Sequence, residues 1–110
     1  MKKEVWPDGY MIVYFNNKDI KQTFPDEIKV VYYFAEANTT QTTFKDGWKI
    51  FKFSNGQVEQ HFPNGEKEIT FPDGTLKFID QEGNEESLFT DGTVQRIWTD
   101  GFKEVILPNG

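Results

Sequence analysis

The chain has 110 residues, 18 acidic against 12 basic, for a formal charge of -6, and no cysteine. That balance excludes disulfide, thiolate and cysteine-metal chemistry, and it gives a long-range field that repels nucleic acid and anionic lipid. There is neither a run of about 18 apolar residues nor a charged-then-apolar leader, so one soluble, cytoplasmic domain spanning residues 1–110 is expected.

From the N-terminus, the first turn signal is Pro7-Asp8-Gly9, in which proline presets φ, aspartate bonds nearby backbone and glycine takes the positive φ of a bulged type I turn. Asn17-Lys18 and Pro25-Asp26-Glu27 follow where a nine-residue period counted from Gly9 places turns, although neither contains glycine. The aromatic run Val30-Val31-Tyr32-Tyr33-Phe34 comes next, followed by the polar run from Ala35 to Thr43. From Glu27 to Gly47 is two periods plus two residues, and the insertion is expected in that polar run.

Glycines then recur without a break at 47, 56, 65, 74, 83, 92, 101 and 110, nearly all after Asp or Asn. This is an internal repeat of consecutive hairpins. A three-residue turn pairs residues four apart, so odd positions stay opposite odd positions from strand to strand. From Trp48 onward the odd face mixes Phe51, Phe53, Ile69 and Phe71 with Lys49, Glu59, His61 and Lys67. The even face mixes Trp48, Ile50, Val58 and Phe78 with Lys52, Glu66 and Glu68. A sandwich or barrel needs one nearly apolar face, and with 36% hydrophobic residues the chain lacks material for a large dry core. The fold expected is therefore all-β: a single-layer, free-standing antiparallel meander of about eleven short strands, wet on both faces and held by its ladder and by cross-strand pairs. A closed small barrel or a sandwich is the alternative.

Catalytic chemistry is sparse. The chain offers one histidine, His61, and two serines, Ser54 and Ser87. His61 lies two residues beyond Glu59, so both point to one face and can pair. No histidine pair or calcium-loop spacing is present. Neither enzymatic activity nor a metal or other cofactor is expected. The distinctive chemistry is surface aromaticity at alternate positions, in Val30 to Phe34 and in Phe51-Lys52-Phe53. Exposed rings beside acids suit an extended peptide carrying prolines and a basic residue, because a preformed polyproline II segment loses little entropy on binding.

The run from Val30 to Ala35, the Thr-rich link, the stretch Phe53-Ser54-Asn55-Gly56-Gln57-Val58-Glu59-Gln60-His61-Phe62-Pro63-Asn64-Gly65 and the segment Lys67 to Thr75 together resemble the C-terminal TCP, or G-box, domain of the CPAP/Sas family of centriole duplication proteins. The resemblance covers most of the chain from about Tyr14 and extends to strand residues as well as turns. It implies a free-standing antiparallel sheet that binds a proline-rich, arginine-containing segment of a STIL-type centriolar partner, in the cytoplasm at the centrosome or centriole. It also implies that further repeats follow Gly110 in the family domain.

Family positions on the binding face map to Tyr14 or Phe15, Tyr32, Phe53 and Glu59, with Glu59 the partner for the arginine. Phe53 and Glu59 are odd and share a face; Tyr14 and Tyr32 are even and share a face if Trp6 opposes Tyr10 and Phe24 opposes Ile28. For these residues to meet one peptide, the facing must invert once between Phe34 and Trp48, and a bulge or irregular crossover within Ala35 to Phe44 is predicted. The competing function is a structural scaffold that self-associates edge to edge through open strands.

Overall fold

The computed structural model describes residues 1–109 and is all-β, with twelve strands and one short 3-10 turn at Pro25–Glu27. The last repeat glycine, Gly110, lies outside the described residues. The chain divides into two units, Met1–Ser54 and Asn55–Gly110.

The first unit contains β1 (Lys2–Val5), β2 (Met11–Tyr14), β3 (Ile20–Thr23), β4 (Lys29–Phe34), β5 (Thr39–Phe44) and β6 (Lys49–Lys52). The second contains β7 (Val58–His61), β8 (Lys67–Thr70), β9 (Leu76–Ile79), β10 (Glu85–Leu88), β11 (Val94–Ile97) and β12 (Lys103–Ile106). Within each unit every strand runs antiparallel to the one before it and pairs with its sequence neighbours. The nine-residue period thus yields twelve strands where about eleven were expected.

The repeat works through one turn geometry. In the first turn Gly9 N–H donates to Trp6 O at 3.0 Å and Trp6 N–H to Tyr10 O at 2.8 Å, while Asp8 Oδ1 accepts Tyr10 N–H at 2.9 Å. The same side-chain brace recurs at Asp46, Asn55, Asn64, Asp73, Asp91 and Asp100, each accepting the N–H two residues on. Where Glu82 precedes glycine, Asp80 takes over and accepts both Glu82 N–H at 2.9 Å and Asn84 N–H at 3.0 Å. At Asn16-Asn17-Lys18 the bulge position is held by Lys18 at φ 76, a conformation that favours glycine.

Each unit is a single layer. Among the described residues Ile12 is the only buried apolar side chain, and no large side chain is fully enclosed. Neither a sandwich core nor a barrel interior is present among the described residues of either unit. The backbone ladder and cross-strand pairs therefore carry much of the stability, each side-chain pair contributing roughly 0.2–1 kcal/mol. Aromatic rows recur on these faces: Trp6 meets Tyr10 edge-on at 4.9 Å and Tyr10 meets Phe24 at 5.2 Å, with Lys29 Nζ lying 4.6 Å over the Phe24 ring.

The irregular region differs from expectation in two ways. The β4–β5 hairpin pairs six residues against six without interruption, from Lys29 opposite Phe44 to Phe34 opposite Thr39. The bulge expected within Ala35 to Phe44 is absent, and the Thr-rich run forms strand β5. The extra residues lengthen this hairpin, whose turn has four residues, Ala35 to Asn38, with Asn38 at φ 52. Facing inverts there as required, because a four-residue turn pairs residues five apart and so sets odd against even.

A second inversion precedes it. Phe24 opposes Lys29, not Ile28: Phe24 N–H donates to Lys29 O at 3.1 Å, and Thr23 pairs with Val30. The turn between them again has four residues, with Asp26 at φ 59 and Glu27 at φ 54 in place of a single glycine. The two inversions flank β4 and cancel beyond it.

Candidate functional site

With β4 alone reversed, its even residues join the odd residues of its neighbours. The register Lys21 opposite Tyr32, Tyr32 opposite Gln41 and Gln41 opposite Phe51 carries one face across β3, β4, β5 and β6. Phe15 follows Val13 onto that face and Phe53 follows Phe51. The rings make a row: Phe15 to Tyr32 at 5.9 Å, Tyr32 to Phe34 at 4.5 Å, and Phe51 stacked on Phe53 at 6.4 Å with planes 13° apart. Phe15, Tyr32 and Phe53 are half-buried, whereas Phe34 is exposed.

Tyr14 is placed elsewhere. Its cross-strand partners are Lys2 and Ile20, and Ile20 in turn opposes Tyr33, so Tyr14 occupies the opposite face from Tyr32. Of the two alternatives at this position, Phe15 is the one brought to Tyr32. The expectation that Tyr14 and Tyr32 share a face fails because the four-residue Pro25-to-Ile28 turn reverses the register between them.

One residue of this face was not anticipated. Asp19 closes the Asn16-to-Lys18 turn through its carbonyl, which accepts Phe15 N–H at 2.9 Å, and its side chain is buried beside the end of β4. Oδ2 accepts the Tyr32 hydroxyl at 2.8 Å and Asn17 Nδ2 at 3.1 Å; Oδ1 accepts Ala35 N–H at 2.8 Å. The Ala35 N–H, then the Tyr32 hydroxyl, hold the Asp19 pKa below the usual carboxylate range. The same bond raises the Tyr32 phenol, with burial and the negative charge adding to it. The Tyr32 hydroxyl is thus a committed donor, and its ring lies tilted against Phe15 and Phe34, with planes 32° and 44° apart. Beside it a depression of about 400 Å³ is lined by Asn17, Asp19, Phe34, Glu36 and Ala37.

Glu59 belongs to the second unit, on β7 opposite Ile69. Its carboxylate is held from both sides along the strand: Oε2 accepts Gln57 Nε2 at 3.0 Å, and Oε1 lies 3.3 Å from His61 Nε2. The pairing of Glu59 with His61 matches the alternation that places both on one face. With 24% of its side chain exposed, the Glu59 carboxylate is fixed in orientation yet open to solvent, a geometry suited to a guanidinium donor. No cluster of His, Cys, Asp or Glu able to hold a metal occurs among the described residues.

The family model of the T-complex protein 10 C-terminus matches residues 38–61, 56–79 and 81–110. Over 61 residues the chain is 52% identical to the centrosomal P4.1-associated protein of Mus musculus and 50% identical to that of Homo sapiens, covering 54% of this chain. It spans about 4% of the length of those relatives. Among solved structures, the G-box domain of the microcephaly protein CPAP is similar over 99% of this chain and 77% of its own, with a TM-score of 0.85 at 43% identity. The TCP10 domain of Danio rerio CPAP in complex with a STIL peptide is similar over 94% of this chain and 67% of its own, with a TM-score of 0.75 at 41% identity. The SAS-4 TCP domain of Drosophila melanogaster in complex with a proline-rich motif of Ana2 is similar over 98% of this chain and 72% of its own, with a TM-score of 0.86 at 39% identity. More than half of the chain thus matches the family model over the same hairpin repeat that the turns build, and the chain belongs to the T-complex protein 10 C-terminus family.

Proposed function

We propose that this domain is a protein-interaction module that binds a proline-rich, arginine-containing segment of a STIL-type protein during centriole assembly, and that it works at the centriole. The observation that carries the reading is the row Phe15, Tyr32 and Phe34 on one face, with Tyr32 anchored by Asp19. Rings fixed in this way offer proline a preformed apolar platform, and neither partner loses much conformational entropy. Phe53 extends the aromatic surface of the first unit, and in the second unit Glu59 offers a carboxylate suited to an arginine. Support also comes from two similar domains, of Danio rerio CPAP and Drosophila melanogaster SAS-4, which were solved with a STIL peptide and a proline-rich Ana2 motif.

The test is calorimetric titration with a proline-rich peptide bearing one arginine, beside the same peptide with the arginine replaced by glutamine. Saturable binding that weakens on losing the arginine supports the reading; absence of binding overturns it.

Scaffolding by edge-to-edge association has less support. Strand β1 presents Lys2 and Lys3, both exposed, along its length, and such charges oppose strand addition.

A further inference from the structure

The second unit divides its charges between its two faces. Even residues oppose even residues throughout β7 to β12. Every lysine of these strands, Lys67, Lys77 and Lys103, is odd-numbered and lies on the face of Glu59 and His61. Across the other face runs one row of side chains: Glu68 opposite Phe78, Phe78 opposite Glu86, Glu86 opposite Arg96 and Arg96 opposite Glu104.

Three carboxylates and one guanidinium therefore share that row. Arg96 Nε donates to Glu86 Oε2 at 2.8 Å and its Nη1 to Glu104 Oε1 at 3.1 Å, while Glu68 makes no ion pair among the described residues. The row keeps a negative excess after its internal pairs form.

Beside the row lies a cleft of about 230 Å³ lined by Phe78, Asp80, Asn84, Glu85, Glu86, Arg96 and Trp98. Its floor is β10; Phe78 stands on β9 opposite Glu86, and Trp98 just beyond β11, two residues past Arg96, where its ring also meets Phe102 at 5.3 Å. Phe78 is 40% exposed. Asn84 at one end is fixed on both sides: its Nδ2 donates to Asp80 Oδ2 at 3.1 Å and its Oδ1 accepts Thr99 N–H at 3.0 Å. The rim is rigid, acidic and aromatic.

We propose that this cleft is a second docking site, taking an arginine- or lysine-bearing extended segment of a protein partner whose cationic side chain lies in the cleft with Phe78 and Trp98, against Glu86. Charge complementarity selects the occupant. Ring faces attract a cation, a planar guanidinium stacks on an exposed aromatic face, and the carboxylate row repels phosphate and acidic segments. The site lies on the face opposite Glu59 in its unit and does not depend on the proline-rich partner.

The experiment titrates the whole chain with a glycine-spaced oligoarginine peptide while following the Trp98 indole N–H and the backbone amides by NMR. The shifts are expected at Trp98, Phe78 and Glu86, with affinity falling as salt rises. Glu86→Gln should weaken binding about fivefold, and Glu68→Gln less. Arg96→Gln should strengthen it, because the resident cation that competes for Glu86 is gone. A variant that loses structure would weaken binding in every case, so the gain from Arg96→Gln separates docking from unfolding. Absence of binding, shifts confined to the Glu59 face, or unchanged affinity in both Glu86→Gln and Arg96→Gln would overturn the proposal.

Discussion

The Tyr32 hydroxyl donates a 2.8 Å hydrogen bond to Asp19 Oδ2, joining the turn before β3 to the middle of β4. The same carboxylate accepts Ala35 N–H at the start of the next turn. One buried side chain thus holds both the ring that faces the proposed ligand and the loop that reverses the register. Asp19→Asn replaces an ionised acceptor by an amide with a single acceptor oxygen, and is expected to lower proline-rich peptide affinity about tenfold. Tyr32→Phe should cost less in the wild-type background and almost nothing in Asp19→Asn. Additive losses in this double-mutant cycle, read by calorimetry, would show that Asp19 does not act through Tyr32.

The two candidates at the start of the row can be separated directly. Phe15→Ala removes a ring in contact with Tyr32 and should weaken peptide binding, whereas Tyr14→Ala alters the opposite face and should leave it within about twofold. Equal losses, measured on variants with matched melting temperatures, would assign the ligand to a different surface.

For Glu59 the contrast is with its strand neighbour. Glu59→Gln should reduce affinity for the arginine-bearing peptide by about tenfold or more, and Gln60→Ala should have little effect, because adjacent strand residues point to opposite faces. The difference should vanish with a peptide in which glutamine replaces arginine, and a difference that persists would rule out this pairing.

Acid should destabilise the fold through its turns. Asp19, Asp73 and Asp91 are lowered chiefly by the N–H groups of Ala35, Thr75 and Thr93, and Asp80 by the Asn84 side chain. A carboxylate with a folded pKa below its unfolded value, about 3.9, stabilises the protein above that unfolded value and loses the effect as pH falls through the folded pKa. Melting temperature should hold steady from neutral pH to near pH 4 and drop below it. Asp19→Asn and Asp73→Asn should flatten that drop; a drop unchanged in both variants would show that these carboxylates do not set the acid sensitivity.

Lys18 stands where the regular repeats carry glycine, at φ 76. Lys18→Gly should relieve left-handed strain of about 1 kcal/mol, less the entropy glycine gives the unfolded chain, and raise the melting temperature by a few degrees. A lower melting temperature would show that the lysine side chain contributes more than its backbone costs.

Much of this molecule is set by local sequence. Turn chemistry at Pro7-Asp8-Gly9 and its repeats determines where strands end, the three-residue turns determine facing from β7 to β12, and mixed polarity on both faces forbids a closed core. The pairing of Glu59 with His61 follows from alternation alone. Asp19 was not legible. Counting by three-residue turns puts it on the face opposite Tyr32, and only the four-residue turn at Pro25 to Ile28 brings the two together.

The order of the strands, the single-layer form of each unit and the aromatic character of its surface were thus contained in the sequence, because each depends on interactions within a few residues. Tertiary structure decided which side of the sheet each half of the aromatic set occupies. Facing depends on the parity of turn length, so one residue more or less in a glycine-free turn reverses a whole strand. That parity is set by which backbone groups across the turn succeed in bonding, as Phe24 does with Lys29.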